Sequence, residues 1–189
     1  MQRLTMTIGI ALLSIFQGAC ADRQLPTSPV SPSGRASFAA SANSARAVSI
    51  LDACDGPTFA AVQVDCSRNS GVTFDHFISE VTAHGSAGAW HFAASNVNVF
   101  VGQTLDVTNR GGETHTFTEV KQFGGGIVPV LNQLSGNPVP APECLELAGS
   151  AFIASGATHH ESIDDEGTEM YQCCIHPWMR AVVTAKRQG

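Results

Sequence analysis

The chain has 189 residues, enough for one well-cored domain and some additional segments. Only 14% of residues are charged and the formal net charge is −6, which argues against a nucleic-acid partner. The apolar share, 43%, is that of an ordinary globular protein.

Residues 1–21 read as a signal peptide. Arg3 supplies a positive start, and 8–16 is an apolar run far too short to span a bilayer. Ala19-Cys20-Ala21 fits cleavage after Ala21, whereas Gly18-Ala19-Cys20 fits a lipoprotein signal with Cys20 as the lipidated residue. Both readings imply export, to the periplasm or to the cell envelope. Membrane contact would then run through that N-terminal lipid alone. Residues 22–47 are rich in Ser, Ala and Pro and are expected to be a disordered tether.

Residues 48–88 are expected to form an N-terminal extension, ahead of a main domain at 89–189. The extension carries Cys54 and Cys66, and then an amphipathic helix at 73–85. Phe74, Phe77, Ile78 and Val81 fall at i, i+3, i+4 and i+7, with Thr73 placed to cap the start and Gly85 to end it. His76 and His84 lie off this stripe and take no metal role.

Strand signals follow at 90–92, 96–101 and 104–109, the last two split by a turn at Gly102-Gln103. Gly111-Gly112 loops to His115, and 116–120 is again strand-like, with β-branched and aromatic residues. Residues 121–149 are irregular, punctuated by Gly124, Gly125, Gly126, Pro129, Pro138, Pro140 and Pro142, with one or two helical turns expected within 127–134. Two readings stay open for this insert: a lid over the metal end, or a surface insertion stapled by Cys144. Further strands are expected at 151–153 and 158–163. His159 and His160 are adjacent and so face opposite sides. The acidic turn at 161–169 is a solvated loop or a surface that steers a basic partner.

The chemistry concentrates in Tyr171-Gln-Cys-Cys-Ile-His-Pro-Trp-Met179. A strand ending at Cys173 leaves its sulfur at the rim of a sheet. Two residues bring His176 round, Pro177 stiffens the turn, and Met179 can approach from another side. A strand at 180–186 closes the domain. Thiolate, imidazole and thioether together select copper over oxygen-seeking ions, and a second imidazole is available from His115. The expected metal site is therefore His115, Cys173, His176 and Met179, holding one type-1 Cu ion. Zinc on Cys173, Cys174, His176 and His115 is the competing set, weakened because neighbouring strand residues point to opposite faces.

This Cys-x-x-His-x-x-Met loop between two strands resembles the cupredoxin family, most closely its amicyanin- and pseudoazurin-type ligand loops. Residues 97–109, with Val-Gly-Gln-Thr-Leu-Asp-Val-Thr-Asn, are similar to the family's strand pair before the first His ligand. The resemblance covers residues 90–186, about half the chain. It implies a mainly β, Greek-key cupredoxin-like sandwich or barrel, here with one N-terminal amphipathic helix and a long inserted loop. It also implies one blue copper and electron transfer, with ligands at the four positions already named. Many members place Asn after the first His, where it pins the Cys loop; Thr116 stands there in this chain.

With Cys173 on the metal, Cys54, Cys66, Cys144 and Cys174 remain, and export favours disulfides. Four cysteines allow three connectivities; Cys54–Cys66 and Cys144–Cys174 are the pairs adopted here. The function expected is reversible one-electron transfer to a transient redox partner by a monomer. His176 is the expected electron exit. Trp178 and Pro177 either form an apolar docking patch beside it or pack inward. A copper carrier or storage protein and a non-redox envelope interaction module are the alternatives. No second His cluster or nucleophile motif suggests an enzyme.

Overall fold

The structure, a computed structural model, describes residues 44–188. The leader at 1–21 with Cys20, and all of the tether up to residue 43, lie outside the described residues. Among those described, no helix is long and apolar enough to cross a membrane.

The strands are β1 (Arg46–Leu51), β2 (His91–Ala93), β3 (Asn96–Phe100), β4 (Thr104–Asn109), β5 (His115–Thr116), β6 (Thr118–Val120), β7 (Phe152–Ile153), β8 (Thr158–Ser162), β9 (Gly167–Gln172) and β10 (Arg180–Lys186). The helices are α1 (Gly56–Ala60), α2 (Phe74–His84) and α3 (Pro129–Leu134). Two mixed four-stranded sheets, ordered β2-β1-β4-β8 and β3-β10-β9-β6, share one apolar core; a short β5-β7 pair adds to them. Val48, Ile50, Leu105 and Val107 come from the first sheet, and Val97, Val99, Tyr171, Ala181 and Val183 from the second. β1, β4 and β10 alternate buried and more accessible positions, as strands do when a β-sandwich buries one face of each sheet. This is the mainly β sandwich that the sequence implied.

The segment at 48–88 does more than extend the domain. β1 is an inner strand, antiparallel to β2 and parallel to β4, with Val48 opposite Val107. Its alternation is present in the sequence, but its parallel partner lies far along the chain and a Ser/Ala-rich run blurs its start.

α2 forms as expected. The Thr73 hydroxyl accepts from the His76 N–H at 3.4 Å, and Gly85 closes the helix in the left-handed region at φ 72°. That conformation favours glycine because a Cβ would crowd the backbone. Phe77 and Val81 are buried, and Phe77 joins an aromatic cluster with Phe59, Phe74 and Trp90. Both expected disulfides are present: Cys54–Cys66 ties β1's exit to the loop before α2, and Cys144–Cys174 ties the insert to the end of β9. The insert also runs against Cys174 through the Ile127 N–H to the Cys174 carbonyl at 2.7 Å. A Cβ on Gly126 would overlap that carbonyl, so only glycine allows the approach.

Candidate metal centre

Strand β9 ends by delivering Cys173 to the rim of the sandwich. The turn that follows closes on itself: the Cys173 N–H donates to the Met179 carbonyl at 3.0 Å, and the Met179 N–H to the His176 carbonyl at 2.9 Å. Three of the four expected residues converge. The Cys173 Sγ lies 3.7 Å from His115 Nδ1 and 3.9 Å from His176 Nδ1. Cys173 is 0% exposed, His115 0% and His176 2%. The three donor atoms lie within 4.8 Å of one another, close enough for these residues to hold one ion together. Met179, fully buried, is placed in the same turn.

Cys174, next in the chain, takes no part. It is disulfide-bonded, so among the described residues Cys173 is the one free cysteine, and the competing zinc set loses a donor. Thr116 makes two bonds to the Cys loop. Its backbone N–H donates to Cys173 Sγ at 3.5 Å, and its hydroxyl accepts from the Cys174 N–H at 2.8 Å. His115 and the Cys loop are thereby pinned to each other.

Sequence reasoning missed Asp52, at the end of β1. Its Oδ2 lies 2.9 Å from His115 Nε2, and both side chains are fully buried. The same carboxylate accepts backbone N–H groups from Cys54, Gly112 and Glu113 at 3.2, 2.9 and 3.1 Å. A Cβ on Gly111 would overlap it, which explains the glycine in that loop. Asn109 braces the loop, donating to the Glu113 and Ile153 carbonyls at 2.7 and 2.8 Å. Glu113 was missed too. It takes a hydrogen bond from the Trp90 indole, and its Oε2 stands 3.8 Å from His176 Nε2. Each imidazole therefore has a carboxylate behind it. The only sequence hint was the cramped Gly111-Gly112 pair.

His176, the expected electron exit, is covered: it is 2% exposed. Phe77 meets it edge-on at 6.0 Å and Trp178 at 5.4 Å between ring centroids. Trp178 itself packs inward, 6.0 Å from Phe77. A cavity of about 180 Å³ opens above His176, walled by Phe74, Phe77 and Ile78 of α2 and by Val128 and Leu131 of the insert. The helix and the insert both cover the end of the sandwich that carries His176.

The charges follow from these contacts. Burial alone would raise the Cys173 thiol, but the His115 and His176 imidazoles outweigh it and hold the thiol well below its ordinary value of 9.0. Burial disfavours the His115 cation; its bonds to Asp52 and Cys173 outweigh that and push it up to about 10. Burial of Asp52 is likewise outweighed, by His115 and three N–H groups, leaving it at about 2. Glu113 goes the other way, raised chiefly by burial.

These shifts predict a stability plateau for the metal-free protein. His115, raised, contributes stability that is complete below its ordinary 6.5 and fades as pH climbs to about 10. Cys173, lowered, contributes stability that is complete above its ordinary 9.0 and fades as pH falls. Between about 6.5 and 9 the two trends run against each other, His115 losing its contribution as pH rises and Cys173 losing its own as pH falls. Thermal unfolding in a chelator should therefore vary least with pH across that window. Cys173→Ser should move the optimum below about pH 6.5.

No family profile matches the chain, and no curated protein matches it. Solved structures do. A purple cupredoxin from Nitrosopumilus maritimus is 16% identical, with a TM-score of 0.43, over 75% of this chain and 99% of that one. A Cu(I) structure of an amicyanin variant is 19% identical, TM-score 0.35, over 53% of this chain and 76% of that one. A reduced amicyanin variant is 22% identical, TM-score 0.33, over 49% and 70%. At these values the likeness carries no functional weight; what stands is the convergence of one free cysteine sulfur and two imidazoles in a buried site.

Proposed function

We propose that this chain is an exported type-1 copper protein that carries single electrons, its metal held by His115, Cys173, His176 and Met179. One observation carries the reading: a free, buried cysteine sulfur within 3.7 and 3.9 Å of two imidazole nitrogens. The donor set fits, because thiolate with two imidazoles and a thioether is the combination that selects copper. Copper, when bound, supplies a one-electron couple between Cu(II) and Cu(I). The protein's part is to hold donors rigid and dry. Cys173 stands ready as a thiolate, His115 and His176 are braced from behind, and Met179 is buried in the same turn as the soft fourth donor.

Export is supported by two disulfides, which persist in oxidising compartments. Glu119, Glu161, Asp164, Asp165, Glu166 and Glu169 gather on one acidic surface, which suits a transient, basic redox partner of a monomeric carrier.

Adding Cu(II) to the purified protein tests this. An intense visible thiolate band that bleaches on reduction and returns on oxidation is the expected result. Tight Cu(I) binding without the band would instead indicate a carrier or storage role, and no uptake a non-redox module.

A further inference from the structure

Resting on that copper reading, we propose that Asp52 is a positioning residue for the metal: its carboxylate turns His115 Nδ1 towards Cys173 and favours the more highly charged oxidation state. The contact geometry argues for it. Asp52 Oδ2 meets His115 Nε2 at 2.9 Å, while Nδ1, across the ring, faces the sulfur. Nε2 keeps a proton to donate there, so when the ring gives up its other proton to a metal, Nδ1 is the nitrogen that offers the lone pair. Asp52 is thus not a ligand; it acts through the imidazole.

The hold is stiff. Asp52 Oδ1 takes the Cys54 and Gly112 N–H groups, and Oδ2 takes Glu113 N–H beside His115. A Cβ on Gly111 would overlap the Asp52 carboxylate, and one on Gly112 would meet the Cys54 sulfur and the Arg68 side chain, so the loop is closely packed on the side facing Asp52 and on the side facing the disulfide. Both partners are 0% exposed, so water screens this negative charge little. A fixed anion behind a ligand stabilises Cu(II) more than Cu(I). The Glu113 carboxylate behind His176 is a weaker counterpart, at 3.8 Å and already engaged by Trp90.

The test uses the full, disulfide-bonded chain loaded with copper. Absence of the thiolate band in the wild type would overturn the copper reading, and this inference with it. Given that band, Asp52→Asn preserves shape and one acceptor oxygen but removes the charge. The band should survive, and the Cu(II) dissociation constant should rise about 10–100-fold. The Cu(I) constant should rise less, so the reduction potential should increase. Equal changes in both constants, or none, would show that Asp52 only clamps the loop. If the variant does not fold, the Co(II)-loaded wild type decides. Its paramagnetic proton spectrum should contain a hyperfine-shifted Nε2–H signal from His115, and its absence would overturn the proposal.

Discussion

Cys173→Ser is expected to abolish the visible band of the Cu(II)-loaded protein, whereas Cys174→Ser should leave it in place. The two residues are chain neighbours with opposite fates. Cys173 points into the main core, between His115 and His176. Cys174 points away, into a smaller cluster with Val120, Ala141 and Cys144. Serine at 173 keeps the volume but replaces the soft, covalent donor whose charge transfer gives the colour. Serine at 174 opens a disulfide spanning 30 residues, for which loop-closure entropy gives about 3–4 kcal/mol. Spectra and thermal melts should therefore separate cleanly. Position 173 controls colour with the disulfide intact, and position 174 controls stability with the colour intact. If serine at 174 removes the band and serine at 173 keeps it, the thiolate has been assigned to the wrong residue.

Much of this site was legible because ligand chemistry is local. Cys173, His176 and Met179 sit within one turn, and their types alone name the metal class. His115 was legible because the set needs a second imidazole, and one stands just after the Gly111-Gly112 loop. α2 was legible down to its caps, since Thr73, the stripe and Gly85 agree with one another. The residues that were missed act across long separations. Asp52 reaches His115 from 63 positions away, and nothing in its neighbours marks it as anything but a solvated carboxylate. β1 was missed as part of the sheet for the same reason, because parallel pairing leaves no hairpin turn to read. The burial of His176 was hidden too. It depends on α2 and the insert folding over the rim, which is a packing outcome rather than a pattern in either segment.

That covering makes Phe77→Ala the second large effect. Phe77 is 2% exposed and lies between Trp90, Trp178 and His176. Truncating a buried phenylalanine costs about 3–5 kcal/mol, through lost transfer energy and the void left behind. The void here would merge with the cavity already above His176. Denaturant unfolding of the metal-free variant should show a loss of that size, with an unchanged slope if only stability has changed. The copper-loaded variant should be reduced faster by a small hydrophilic reductant, because the imidazole edge becomes reachable. Phe77→Leu separates the two effects, since it refills much of the space and should cost less than Ala. If Ala destabilises the fold and the reduction rate stays at the wild-type value, the aromatic layer supports α2 without gating His176. The electron would then leave by another face of the sandwich.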